Sequence, residues 1–449
     1  MGTPVPQSAA PWSPAARQSA ATGPPAGRRR DRWRAAARTA PGRLRLAATG
    51  LTLLVLGLGA LTGWQVTDRS QAADQVVTHS QPLSQNAAEI YRSLADADTT
   101  AAAGFLQAGN EPAATRQRYE DDLANATSLL TQAAARSDGS AQAQNLISRL
   151  NQQLPVYAGL VDTARADDRQ GLPLGAAYLR YASDTMQTQL LPQAQQLYQV
   201  ELARLDRDYS DARATPWAAY ALGVIALAVL VRFQWTLFKR TNRVFNSGLL
   251  AATGALVLML AWLAGGTLLA DSGLQRSIDQ GAAPLRALDQ ARTDTLQART
   301  AENLNLVARG STTQYADQWT TAAKGDSDAL DQAARLAPSG ARSQLATARA
   351  RFTDWTKGHD TADQKNNAGD YQGALDATVG SGPGSDAAAF DAVDQSLAKA
   401  VQVEQDDFTS AANDGRDATA TVAIAAGVLA LLAAGGVLTG IGRRLAEYR

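Results

Sequence analysis

Four long stretches without a charged side chain divide the otherwise polar chain. They cover residues 46–64, 214–231, 248–270 and 418–442. Each is mostly apolar and has eighteen residues or more, the length at which a helix crosses a hydrocarbon layer of roughly 30 Å. The pattern therefore predicts an integral membrane protein with four transmembrane helices.

The two long polar segments, 65–213 and 271–417, show apolar residues at three- and four-residue steps. This spacing is typical of amphipathic helices with one buried face. In each segment we expect four such helices, packed as an antiparallel four-helix bundle. The predicted fold class is therefore all-α, with two tandem helical-bundle domains attached to four membrane helices.

The second long segment repeats the first about 200 residues later along the chain. Tyr157 and Tyr209 of the first segment correspond to Trp355 and Phe408 of the second. We predict that all four aromatic side chains face the interior. The repeat departs from this pattern at Glu404, where the first segment has a leucine.

Charge is unevenly distributed, although the chain has 42 basic and 42 acidic residues. The short segments 1–45, 232–243 and 443–449 hold sixteen basic and two acidic residues, and both long segments are net acidic. Short basic segments beside membrane helices remain in the cytoplasm. We therefore expect a multi-pass protein of the cell membrane, with both termini cytoplasmic and both bundles extracytoplasmic.

These boundaries define nine predicted segments. In chain order they are a disordered basic cytoplasmic tail (1–45), a first membrane helix (46–64), a first extracytoplasmic bundle (65–213), a second membrane helix (214–231), a cytoplasmic loop (232–247), a third membrane helix (248–270), a second extracytoplasmic bundle (271–417), a fourth membrane helix (418–442) and a cytoplasmic tail (443–449).

The sequence contains no pattern typical of catalysis. It has no cysteine, and its two histidines, His79 and His359, have no further ligand at metal-binding spacing. It also lacks a nucleophile elbow, a zinc-protease motif and a phosphate-binding glycine loop. We therefore expect no metal, no cofactor and no enzymatic activity. The apolar stretches have no ionisable residue in their interior, which argues against an ion or proton pathway.

Two pairs of glycines have the spacing that lets membrane helices approach closely. They are Gly59 and Gly63 in the first span, and Gly436 and Gly440 in the fourth. Because glycine and alanine are common in these spans, the motif leaves both a helix contact and a chance occurrence open.

The basic residues between the second and third spans are the candidate functional residues. They are Arg232, Lys239, Arg240 and Arg243, interleaved with aromatic side chains. We expect them to transmit the signal to a cytoplasmic partner. For the basic tail 1–45, one interpretation is anchoring to anionic lipid headgroups, and the other is docking of a cytoplasmic protein. Nucleic-acid binding is not expected, because the basic residues adjoin a membrane span. The sequence leaves open whether the protein forms a homodimer, and it assigns no ligand-binding residue.

In span order, segment lengths and duplicated polar segment, the whole chain resembles the GlnX-type integral membrane proteins of actinobacteria. The resemblance is one of architecture and rests on no short motif. It implies a relay in which a solute-binding lipoprotein captures glutamate, aspartate or glutamine outside the cell. The membrane protein would carry that signal to a cytoplasmic serine/threonine protein kinase, protein kinase G.

Two other functions are compatible with the same pattern. One is an accessory subunit of an amino-acid uptake system, and the other is a structural protein of the cell envelope. Co-purification with a permease would favour the first, and the lack of any soluble binding partner would favour the second.

Overall fold

The structure, a computed structural model, describes residues 40–107, 111–137, 139–241, 246–337, 340–380, 382 and 384–446. Within these ranges the side chains at 40, 41, 240, 241, 280, 415–423 and 444–446 are not described. Almost all described residues are helical and none of them forms a strand, which confirms the all-α prediction. Most of the predicted tail 1–45 lies outside the described residues.

Thirteen α-helices and three short π-helical segments make up the described chain. They are α1 (Ala40–Gln75), π1 (Val76–Ser80), α2 (Gln81–Phe105), α3 (Ala113–Arg136), α4 (Ala141–Arg169), α5 (Leu174–Thr185), π2 (Met186–Leu190), α6 (Leu191–Arg213), α7 (Trp217–Thr241), α8 (Ser247–Ser277), π3 (Ile278–Ala282), α9 (Ala283–Ala308), α10 (Gln314–Leu336), α11 (Arg342–Asn367), α12 (Tyr371–Val379) and α13 (Asp386–Ala446).

Four helical stretches of the described chain are long and apolar enough to cross a membrane. They lie within Gly42–Phe105, Leu174–Lys239, Ser247–Ser277 and Ile424–Arg443. These stretches correspond to the four predicted apolar runs, so the prediction of four membrane-spanning helices is confirmed at the level of length and composition.

Three of the four spans continue as unbroken helix into the polar segments. Helix α1 passes through π1 into α2, and α8 passes through π3 into α9. Helix α13 is a single helix of 61 residues. We call the polar helices α2 to α6, α9 to α12 and residues 386–413 of α13 the head. The spans in α1, α8 and α13 are thus direct extensions of helices of the head.

A proline stands two residues after the end of each π-helical segment. These prolines are Pro82, Pro192 and Pro284. A proline lacks the N–H of a regular helix, and its ring clashes with the carbonyl group four residues earlier. The backbone N–H of the residue before each proline donates to the carbonyl five residues earlier. The wider turn accommodates the proline, so the helix continues instead of breaking.

The second span is joined to the head by a short break. Helix α6 ends at Arg213, and α7 begins at Trp217, directly after Pro216. At its other end α7 runs to Thr241, past the predicted limit of the second span at residue 231. The first part of the predicted loop 232–247 is therefore helical, and residues 242–245 lie outside the described residues.

Glycines set the closest approach between the apolar helices. Helix α13 packs against α8 and α1. At Gly248, the start of α8 lies against the backbone of Gly436 and Gly440. A Cβ atom on Gly59 would lie 2.5 Å from the Cβ of Ala430, whereas a Cβ atom on Gly63 would meet no described atom within 4 Å. The second predicted glycine pair therefore forms a helix contact, and only one member of the first pair does.

The two sequence copies share one hydrophobic core in the head. A single cluster of buried side chains contains Leu94 and Tyr157 from the first copy together with Leu296 and Trp355 from the second. The duplicated segments are therefore packed against each other as one body.

Equivalent positions of the two copies meet where the copies touch. The rings of Tyr209 and Phe408 pack edge to face, with their centroids 6.3 Å apart. Between the matching helices α2 and α9, the hydroxyl oxygens of Thr99 and Thr300 lie 2.6 Å apart and share a hydrogen bond. Contact between equivalent residues is what an approximate two-fold arrangement of a duplicated unit produces.

Candidate functional site

A cavity of about 410 Å³ lies in the head between the two copies. Its walls come from α2 and α6 of the first copy and from α9 and α13 of the second. These are the four helices that lead into the four spans. Two of the lining residues adjoin the π segments: Gln81 directly follows π1, and Ala282 is the last residue of π3. The cavity therefore lies in the part of the head nearest the apolar helices.

The cavity lining carries basic and acidic side chains in equal number. The basic residues are Arg92, Arg286 and Arg292, and the acidic residues are Glu89, Asp206 and Asp289. Two pairs form across short distances: Arg92 Nε donates to Glu89 Oε2 at 2.8 Å, and Arg286 Nη2 donates to Asp206 Oδ1 at 2.5 Å. Each of these pairs neutralises its own charge within the wall.

The remaining pair, Asp289 and Arg292, is only loosely satisfied. Arg292 Nη2 donates to Asp394 Oδ1 at 3.3 Å, which is long for a charged hydrogen bond. The Asp289 carboxylate accepts a hydrogen bond from Tyr198 Oη at 3.1 Å. Burial raises the pKa of Asp289 to about 6, although Tyr198 and the charge of Arg292 oppose the shift. These two residues are one helical turn apart on α9, so their charged groups are neighbours.

A second, more open cleft of about 900 Å³ lies above the cavity, farther from the apolar helices. Tyr91, Gln195, Gln290 and Thr293 line both spaces. The charged residues that line the cleft are all acidic: Asp98, Asp184, Asp294 and Asp317. No basic side chain is described in the lining of this upper cleft to hold an anionic group, whereas the cavity below it has such side chains.

Directly below the cavity, side chains from both copies close the space. Tyr209 Oη and Ser277 Oγ lie 2.6 Å apart, and Ser277 Oγ donates to the carbonyl oxygen of Phe408 at 3.4 Å. Tyr209 and Phe408 belong to a buried cluster that also includes Val76 of π1 and Ala282 of π3. We call this cluster the junction, because it joins the head to the spans.

Two of the four candidate relay residues are described with their side chains, and the fold brings them together. Lys239 Nζ lies 4.3 Å from the ring centroid of Trp235, and the guanidinium carbon of Arg232 lies 5.9 Å from it. All three side chains are exposed on α7. The side chain of Arg240 and the whole of Arg243 lie outside the described residues. Cations stacked on an exposed tryptophan are typical of the boundary between membrane and water.

Sequence reasoning did not find the cavity. Its lining comes from four helices that are distant in sequence, and the apolar periodicity indicates which face of a helix is buried without indicating its neighbour. One signal was present: Glu89 and Arg92 interrupt the apolar face of α2 at helical spacing, as Asp289 and Arg292 do on α9. Among the described residues, no group of three or more acidic or histidine side chains is arranged to hold a metal ion.

Residues 72–210 match the family model of an actinobacterial sensor domain. The matched region runs from the end of α1 to the last turn of α6 and includes the first copy's share of the cavity lining. No curated protein and no solved structure matches the chain. The match supports a sensing role and an actinobacterial sensor protein, and the four apolar helices are compatible with a multi-pass membrane protein.

Proposed function

We propose that this protein is a non-enzymatic membrane relay for the external availability of glutamate, aspartate or glutamine. In this proposal a solute-binding lipoprotein presents the amino acid to the head outside the cell, and a cytoplasmic serine/threonine kinase receives the signal. The sensor-domain match and the resemblance in architecture support the proposal.

One structural observation carries the proposal. The cavity is lined by the four helices that lead into the spans, and three of them enter the membrane region without a break. A change in their spacing at the cavity therefore displaces the spans themselves. Shifts of about 1–2 Å in packed helices are a common means of transmitting such a change.

The proposed orientation follows from the charge bias of the short segments. The head faces outward, and the end of α7 with Arg232, Lys239, Arg240 and Arg243 faces the cytoplasm. Helix α7 connects these residues to the first copy, and α8 connects them to the second copy. We therefore expect the kinase or its adaptor to receive the signal at this surface. Anionic lipids bind the same residues in the resting state.

Replacement of Arg232, Lys239, Arg240 and Arg243 by glutamine tests the relay. We expect kinase-dependent phosphorylation to lose its response to external amino acid, while capture of the binding protein by the head persists. The measurement is phosphorylation in cells with and without added amino acid. A matched control replaces four exposed basic residues of α11 in the head, Arg342, Arg349, Arg351 and Lys357, and should respond normally.

Each lost charge near an anionic surface weakens membrane attachment by about 1 kcal/mol, so insertion of the variant must be checked. Cysteines placed at Gln170 and Ala368 should react with an impermeant thiol reagent in intact cells, and one at Ser247 should not. A normally inserted variant that responds to amino acid as the wild type does would contradict the relay and favour the transport-accessory function.

A further inference from the structure

The charged lining of the cavity between the copies fits a ligand with one positive and one negative group. We propose that the head binds a free α-amino acid directly in this cavity, with the ammonium group at Asp289 and the carboxylate group at Arg292. The inference rests on the sensing function proposed above and adds a ligand class and a site within this chain.

The negative end of the ligand is matched by unused guanidinium donors. The Arg292 side chain is 11% exposed, and its only hydrogen bond to a described residue is the 3.3 Å bond to Asp394. Its Nε atom, and that of Arg286, are buried without a hydrogen-bond partner in the described part of the chain. A planar guanidinium with free donors is the protein group best suited to bind a carboxylate.

The positive end is matched by Asp289. Its Oδ2 atom accepts a hydrogen bond from Tyr198, which leaves the second carboxylate oxygen available to an ammonium group. The other two acidic side chains of the wall are already held by Arg92 and Arg286. Asp289 is therefore the carboxylate that can accept a new cation without breaking an ion pair of the wall.

Net charge favours a zwitterion over an ion of a single sign. The three basic and three acidic side chains of the lining balance, although Arg292 is also paired at 3.3 Å with Asp394 behind the lining. A lone anion at Arg292 would leave Asp289 without a cation, and a lone cation at Asp289 would leave the buried Arg292 Nε without an acceptor, and each of these is costly. The upper cleft, with four aspartates and no lysine or arginine in its lining, lacks the group that would bind a carboxylate. The zwitterion therefore fits the cavity better than the cleft.

The size and remaining lining suit a small polar molecule. The volume of about 410 Å³ lies at the lower end of the range of about 300–1,000 Å³ found for small-molecule sites. Glutamine side chains, which both donate and accept hydrogen bonds, come from all four helices: Gln81, Gln85, Gln195, Gln199, Gln290 and Gln405. They provide partners for a polar amino-acid side chain.

The test is isothermal titration calorimetry on the full-length chain in lipid nanodiscs, with no binding protein present. The probes are L-glutamate, L-aspartate and L-glutamine, together with glutarate, which lacks the ammonium group, and 4-aminobutanamide, which lacks the carboxylate. We expect at least one amino acid to bind and both charge-deleted analogues to bind at least about tenfold more weakly, since each loses a charged hydrogen bond.

Single substitutions then locate the site. Asp289→Asn and Arg292→Gln should each weaken amino-acid binding at least about tenfold, and Arg292→Lys, which keeps the charge, should weaken it less. Asp354→Asn and Arg351→Gln are matched controls, because this exposed pair on α11 has the opposite order but the same three-residue spacing. They should bind as the wild type does. Thermal unfolding of each variant shows that the head remains folded.

The proposal would be overturned if none of the three amino acids bound to the wild type, or if the Asp289 and Arg292 variants bound them equally well. Glutarate binding as strongly as glutamate would also overturn it, because the site would then be a simple anion site. If the purified chain binds no amino acid while kinase output in cells still responds, the direct site is wrong and the relay stands. Binding without any response in cells leaves the site standing and contradicts the relay.

Discussion

At the scale of single residues, each copy buries one carboxylate beneath the aromatic residue that the repeat predicted to face inward. Tyr157 Oη donates to Asp98 Oδ1 at 3.2 Å, and Trp355 Nε1 donates to Glu302 Oε2 at 3.2 Å. The sequence predicted the burial of both rings, because they continue an apolar stripe. It did not predict their polar partners, because the stripe contains no information about the neighbouring helix.

The two buried carboxylates are stabilised differently. Burial raises the pKa of Asp98 to about 6, although hydrogen bonds from Ser183 and Tyr157 oppose the shift. Burial acts in the same direction on Glu302, but the charge of Arg299 and the contact with His359 bring its pKa below the ordinary value. In the first copy the buried carboxyl group of Asp98 is thus held by hydroxyl groups, whereas in the second copy that of Glu302 belongs to a buried ion pair.

Glu404 is another buried carboxylate of the second copy, and it has no such partner. Its side chain is fully buried, and both carboxylate oxygens lack a hydrogen bond from any described residue. Burial, together with the charge of Asp407, raises the pKa of Glu404 to about 7. The sequence had identified it as the residue that departs from the repeat, and the structure places its side chain in the interior of the head.

Glu404→Gln should therefore stabilise the protein at alkaline pH. In the unfolded chain a glutamate has a pKa of about 4.3, so the raised pKa favours folding below that value, and the advantage is lost as pH rises to about 7. Removing an unpaired buried charge should raise the free energy of unfolding at pH 8 by about 1–3 kcal/mol, and by less at pH 5.

Thermal unfolding at pH 5 and pH 8 measures this difference. Glu120→Gln, at an exposed position of α3, is the matched control and should change little at either pH. An equal effect of Glu404→Gln at both pH values would show that the carboxylate is not buried in its charged form.

At the scale of helices, most of the architecture follows from local sequence signals. The apolar runs predicted the spans, and the amphipathic stripes predicted the helices of the head. The prolines that produce π1, π2 and π3 were visible in the sequence, but a proline alone does not distinguish a π turn from a break. Pro216 lies in the break between α6 and α7, whereas Pro284 lies in a continuous helix.

The packing of the spans depends on glycine at specific positions of α13. Gly436→Ile should separate α13 from α8, because a Cβ at this position would lie 2.9 Å from the carbonyl oxygen of Gly248 and 3.0 Å from the amide nitrogen of Ala252. We expect a loss of about 1–3 kcal/mol in the free energy of unfolding, the usual effect of overpacking.

The neighbouring Gly435→Ile is the matched control, since no described atom lies within 4 Å of a Cβ placed there. Thermal unfolding in the same detergent or nanodisc measures both variants. Equal stabilities for the two variants would mean that α8 and α13 do not pack at this glycine face.

At the scale of the whole molecule, duplication explains why the cavity that we propose as the ligand site lies between the copies. Equivalent residues such as Tyr209 and Phe408 meet at the junction, and the cavity lies directly above them with walls from both copies. The sequence predicted two copies but treated each as a separate bundle. A boundary between copies is not visible in either copy alone, because it arises only when two similar surfaces are brought together.

In the proposed mechanism, a ligand bound in the cavity displaces the spans relative to one another. The chain has no cysteine, so spin labels can be placed on introduced cysteines at Val231 of α7 and Leu438 of α13, both exposed. One of these spans follows a break and the other is continuous with the head, so they should respond differently to the ligand.

The decisive measurement is the distance between these two labels by pulsed electron paramagnetic resonance in nanodiscs, with and without saturating amino acid. We predict a change of about 1–2 Å, the scale of helix shifts in signalling proteins, and no change in the same labelled protein carrying Arg292→Gln. An unchanged distance in labelled protein that calorimetry shows to be saturated with amino acid would show that the ligand does not displace the spans.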